Sequence, residues 1–146
     1  MTLLRFEQPD GERRLAEWRH IHNTVVPPAA LPLDAVRERA RRYRLEVALL
    51  GDLPVGCTTV RPPAGDGATA TVIARVLPDH RGRGFGGELY ARGLEQARGL
   101  GAGTIETVVL AANEDGLRFA RRHGFVEIDR YVLPGETAEW VDLRLA

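Results

Sequence analysis

Lysine is absent from this sequence: every one of the 20 basic residues is an arginine, and 20 acidic residues balance them to a formal net charge of zero. The missing lysine excludes a P-loop, whose lysine is the group that reaches the β- and γ-phosphates. The balanced charge creates no global field for nucleic acid or an acidic membrane, so neither is expected as a partner, and any anion must be met locally. The one cysteine, Cys57, excludes an internal disulfide and a cysteine-rich metal site, and in mid-strand it reads as a small core residue. No apolar run approaches the roughly 20 residues of a spanning helix, and the start "MTLLRFEQPDGERR" lacks a basic-then-apolar secretory pattern. A cytoplasmic protein is therefore expected. His20, His22, His80 and His123 share no ligand spacing with acidic residues, so no metal is expected, and they read as surface or loop positions.

What is present fits one domain over residues 1–146, long enough to bury a core. Leu3 to Phe6 predicts a short strand. Leu15, Trp18, Ile21 and His22 fall at helical spacing, and Ala35, Val36, Ala40 and Tyr43 form the stripe of a second helix whose arginines read as a solvated face. "LEVALLG" and "VGCTTV" predict an antiparallel hairpin, and "RPPAGDGA" a loop. The strand "TATVIARVLP", a helix over 86–100, the strand "GTIETVVLAAN" and the helix "EDGLRFARRHG" follow, and "FVEIDRYVL" and "AEWVDLRL" close the chain as two strands. The strand-helix-strand unit requires a right-handed crossover and a parallel pair, whereas the hairpins are antiparallel. An α/β fold with a mixed sheet flanked by about four helices is expected.

Chemistry concentrates in "PDHRGRGFGGEL", residues 78–89, where glycines 82, 84, 86 and 87 alternate with arginines at a helix start. Glycines give the backbone access to positive φ and leave the amides bare. A helix N-terminus favours negative charge, and Arg81 and Arg83 would repel it and each other unless an anion met them. A phosphate is the expected occupant, against the alternative of a solvated turn. "GRGFGG" also matches the dinucleotide fingerprint G-x-G-x-x-G, but four residues separate it from the strand, and Glu106 lies near the start of the next strand instead of its end.

"VLPDHRGRGFGGEL" resembles the acyl-CoA pyrophosphate loop of the GNAT superfamily of N-acetyltransferases, [Q/R]-x-x-G-x-[G/A], filled here by Arg81, Gly84 and Gly86. A second family motif, an asparagine followed by a short helix closing in Gly-Phe, is met by Asn113 and Gly124-Phe125, and the order of elements agrees along nearly the whole chain. The resemblance implies a mostly antiparallel sheet with a central, splayed parallel pair whose gap takes the pantetheine arm of acetyl-CoA. It implies that backbone groups around Val76 and Leu77 pair with that arm, the N–H at Val76 polarising the thioester carbonyl. It further implies that Gly82, Arg83, Gly84, Phe85, Gly86 and Gly87, with Arg81, hold the diphosphate, and that Asn113 reaches the cofactor. The implied activity is acetyl transfer to a small-molecule or peptide amine by direct attack in a ternary complex, that of an acyltransferase moving groups other than aminoacyl groups. Its alternatives are a non-catalytic CoA-binding domain and a dinucleotide module. The family often pairs, which puts a homodimer among the expectations.

Two positions depart from the pattern. The tyrosine many members carry seven residues after the asparagine is Ala120, and the glutamate five residues before it is Val108. A general acid or base contributes about 10²- to 10⁴-fold, so turnover survives the loss, with weakly basic amines favoured. Glu106, on the strand face of Val108, is the candidate substitute base, and Tyr131 the candidate hydroxyl. Tyr90 reads as core, and Arg75 as a surface ion pair in preference to a contact with a substrate carboxylate.

Overall fold

The computed structural model describes residues 4–146, so the first strand starts at Leu4, and Leu3 lies outside the described residues. In chain order the elements are β1 (Leu4–Glu7), α1 (Glu12–Val25), α2 (Leu33–Arg42), β2 (Arg44–Leu50), β3 (Leu53–Ala64), β4 (Thr69–Val76), α3 (Phe85–Gly99), β5 (Thr104–Leu110), α4 (Glu114–Arg122), β6 (Phe125–Val132) and β7 (Glu139–Leu145). The strands form one sheet in the order β1-β2-β3-β4-β5-β7-β6. Among the described residues only β4–β5 is parallel, so this is the mixed α/β sheet expected, with four α-helices on its two faces. Among the described residues no helix is long and apolar enough to cross a membrane.

Each face has its own core. On one, Leu15, Trp18 and Ile21 of α1 and Val36 of α2 bury against Leu45, Val47, Leu49 and Cys57. On the other, Tyr90 and Ala97 of α3 and Leu117 and Ala120 of α4 meet Val60, Val72, Val141 and Leu143. The α1 stripe places His22 in the first core: it is 2% exposed and stacks on Trp18 with ring centroids 5.2 Å apart, not at the surface as the sequence suggested. Burial, then the nearby Arg75, lowers its pKa to about 4, so it stays neutral.

The "RPPA" stretch continues β3 and is not a loop. Its pairing jumps from Arg61↔Thr71 to Ala64↔Thr69, which leaves Pro62 and Pro63, without N–H groups to offer a ladder, at an irregularity. The last two strands do not simply extend the sheet either. β7 inserts between β5 and β6, setting Asp142 directly across from Val108.

The parallel pair is short. β4 and β5 are in register only at Thr69↔Thr104, Ala70↔Ile105 and Thr71↔Glu106. Beyond Thr71, β4 stays with β3 as far as Val76↔Gly56, while β5 stays with β7 as far as Leu110↔Trp140. The two strands therefore part like the arms of a V.

Candidate active site

A cavity of about 520 Å³ occupies the opening of the V, walled by Ile73–Val76 of β4 and Thr107–Leu110 of β5 and reaching the turn before α3 and the start of α4. The phase of β4 follows from one bond: the N–H of Leu77 donates to the Val55 carbonyl at 2.9 Å. In an antiparallel ladder alternate residues turn their backbone groups to opposite sides, so Arg75 and Leu77 face β3 while Ala74 and Val76 face the gap. The Val76 carbonyl accepts from Arg81 Nε at 3.0 Å, and its N–H is left pointing into the cavity.

The turn before α3 is built to leave amides bare. Gly82 and Gly84 have φ of +77° and +83°, the left-handed region that side chains disfavour. Gly84 is the N-cap of α3 and brings no side-chain acceptor. The first N–H groups of a helix have no partner within it, and among the described residues none is found for the amides of Gly82 to Gly87. Gly86 has an additional reason to be glycine, since a Cβ there would stand 2.9 Å from the Phe119 ring. Asn113 does the opposite at α4: its Oδ1 accepts from the Gly116 N–H at 3.0 Å and caps the helix, leaving its amide nitrogen available to the cavity.

The expected cofactor residues are thus divided by position. Val76, Arg81, Gly82, Gly84, Phe85, Gly86 and Asn113 line the cavity. Leu77 does not: its N–H is tied to Val55, its carbonyl accepts from the His80 N–H, and its side chain packs into the α1 core. Gly87 and Arg83 also stand outside the lining, the Arg83 guanidinium lying 4.9 Å from the Phe85 ring centroid. Two arginines of α4 that the sequence did not flag, Arg118 and Arg122, join the mouth. Tyr90 is a core residue, 3% exposed, with its hydroxyl 3.3 Å from Thr107 Oγ1, and it also forms part of the cavity wall.

The candidate proton-transfer groups lie on the α1 side of the sheet. Glu106 sits at the closed end of the V, its carboxylate held by Arg144 at 2.7 Å, and does not line the cavity. Tyr131 donates to Asp142 at 2.7 Å, and neither lines the cavity; burial, then this carboxylate, pushes the Tyr131 pKa up to about 12. Asp142 is the acid that sequence reasoning missed, because its place beside Val108 depends on β7 entering between β5 and β6. Burial raises its pKa, against the hydrogen bond from Tyr131. Ala120, at the usual acid position, is fully buried in the α4 core, and Val108 lines the gap. Cys57 is fully buried and its thiol is pushed up to about 12 by burial, which removes it as a nucleophile. Arg75 lines the cavity and, among the described residues, makes no ion pair, so the surface-pair reading of it is incorrect.

Solved structures of known proteins share this chain's fold. A ribosomal-protein-alanine N-acetyltransferase from Brucella melitensis is 20% identical, with a TM-score of 0.75 over 97% of this chain and 98% of its own. The protein yncA from Salmonella typhimurium, solved with its cofactor acetyl-CoA, is 19% identical, with a TM-score of 0.75 over 97% and 92%. NAA60 from Arabidopsis thaliana, solved with a bisubstrate analogue, is 16% identical, with a TM-score of 0.76 over 97% of each chain. No curated protein matches by sequence. The sequence pattern of the acetyltransferase (GNAT) family matches residues 6–125, and the chain belongs to that family.

Proposed function

We propose that residues 1–146 act as one N-acetyltransferase domain that moves an acetyl group from acetyl-CoA directly to an amine. The observation that carries this reading is the set of unpartnered amides from Gly82 to Gly87 at the mouth of the β4–β5 gap. Oriented N–H groups with Arg81 beside them suit a diphosphate, and the gap behind them suits a narrow arm that completes the hydrogen bonding of the parted strands. The acetyl-CoA held by yncA and the bisubstrate analogue held by NAA60 support the same assignment.

In this reading the Val76 N–H polarises the thioester carbonyl and meets the oxyanion as the amine nitrogen attacks the carbonyl carbon. The C–N bond forms, the C–S bond breaks, and the thiolate leaves with the electron pair. A thiol pKa near 8.5 makes that departure tolerable without a dedicated acid, in keeping with Ala120. Asp142, across from Val108 and bonded to Tyr131, takes the amine proton. Neither Asp142 nor Glu106 lines the cavity, but Asp142 stands across from the lining residue Val108, whereas Arg144 clasps Glu106 where the strands still pair.

Thermal-shift and calorimetric titration with acetyl-CoA, CoA and NAD, followed by release of free thiol with a panel of amines, tests the proposal. Stabilisation by acetyl-CoA and CoA but not NAD, with acceptor-dependent thiol release, is expected. Binding without release under any acceptor supports the non-catalytic alternative, and binding of NAD alone supports a dinucleotide module.

A further inference from the structure

Arginines in this chain mostly find acids. Arg92 bonds buried Glu46 from the α3 side of the sheet, Arg144 bonds Glu106, and Arg130 bonds Glu127 at 2.9 Å. Arg39, Arg61 and Arg75 do not. They come from α2, β3 and β4, share the α1 side of the sheet, and among the described residues none makes an ion pair. Each lies within electrostatic reach of the other two: burial and then Arg61 lower the pKa of Arg39, and burial lowers that of Arg75 to about 10, with Arg39 and Arg61 also pressing it down. The other groups facing Arg75 are Cys57, Tyr90 and His22, each neutral where it stands. Arg61 Nε is buried without a hydrogen-bond partner among the described residues, its guanidinium lying 5.4 Å from the Tyr43 ring centroid.

Among the described residues none of these three guanidinium groups is paired with a carboxylate, and a partly buried cation costs free energy unless it is paired. One of them, Arg75, lines the cavity from β4, as do Thr107 to Leu110 from the β5 wall. Across the gap the charge changes sign: Asp142 shares the β7 face with Trp140, and its pKa responds to both Glu106 and Arg61. Arg75 is thus the cation of β4 that the cavity meets, and Asp142 stands behind the β5 wall, across from Val108.

We infer that the acceptor is an amine that also bears a carboxylate, of the free amino-acid type, with its carboxylate bound by Arg75 in the field of Arg39 and Arg61 and its amine turned toward Asp142. Arg75 is then a specificity-determining residue that fixes the acceptor and plays no part in holding the acyl donor. The inference rests on the acetyl-transfer reading of the cleft.

A binding experiment separates the two. With the protein saturated with CoA, N-acetyl-glycine, N-acetyl-leucine, N-acetyl-glutamate and N-acetyl-phenylalanine are titrated beside their carboxamides, which mimic a peptide acceptor. At least one free acid is expected to bind roughly 10- to 100-fold tighter than its amide, the value of a charge-assisted hydrogen bond. That preference disappears in Arg75→Met and is partly kept in Arg75→Lys, while the affinity for CoA is unchanged in both. Removing an unpaired charge is also expected to raise the melting temperature of Arg75→Met. The inference is overturned if no free acid outbinds its amide, if the preference survives Arg75→Met, or if Arg75→Met weakens CoA as much as the free acid. Failure of CoA itself to bind the wild type contradicts the acetyl-transfer reading instead.

Discussion

Helices α3 and α4 both begin at the mouth of the same gap, yet their first turns are finished differently. At α4, Asn113 caps the Gly116 amide at 3.0 Å, and Glu114 and Asp115 add negative charge to the first turn. At α3, Gly84 offers no side chain, and Phe85, Gly86 and Gly87 follow without an acid before Glu88. One helix satisfies its own N-terminus, and the other leaves its first amides open, as the proposed diphosphate site requires. A cap at α3 would be worth about 1 kcal/mol, as at α4, and its lack there is what the proposed binding function accounts for.

The strongest way to break the contrast is to cap α3 from within. Gly84→Asp places a carboxylate on the open amides, and acetyl-CoA affinity is expected to fall on the order of 1000-fold, as two charge-assisted bonds are lost and a repulsion is added. Gly84→Ala carries the same left-handed strain without the charge, so calorimetry on the pair isolates the electrostatic part; equal losses would refute it.

Acid stresses a closed part of the molecule. Buried His22 titrates near 4, against 6.5 for an ordinary histidine, so the unfolded chain binds the extra proton first. Stability is full above pH 6.5 and declines as pH falls toward 4, by up to about 3 kcal/mol. Urea unfolding from pH 7.5 to 4.5 measures the slope, which His22→Phe, keeping a ring on Trp18, should flatten. Opening α4 is milder: Asn113→Ala should cost about 1 kcal/mol, seen as a melting point lower by roughly 2–4 °C, with acetyl-CoA affinity changed far less than in Gly84→Asp. The smallest effect is expected for Glu114→Gln, roughly 0.3–1 kcal/mol of dipole compensation, shrinking in high salt.

The sequence made the α3 turn readable because glycines needed for positive φ and arginines needing an anion are both local signals. The order of elements was likewise written in periodicity and in breaks such as Pro78. Non-local placement was not readable. Nothing near Asp142 says that β7 enters between β5 and β6, and so nothing says that it would face Val108. Arg75 was visible as a strand residue, but its lack of an acid depends on side chains from α2, β3 and α1 arriving together. His22 looked like one more surface histidine until the α1 stripe turned it onto Trp18. "RPPA" read as a loop because two prolines argue against a strand, and the irregularity that accommodates them lies in the pairing with β4.

A crystal structure with acetyl-CoA bound tests the central claim most directly. The diphosphate oxygens should lie about 2.7–3.2 Å from amide nitrogens between Gly82 and Gly87, with the thioester carbonyl facing the Val76 N–H. A diphosphate seated elsewhere, with those amides contacting only solvent, would contradict it.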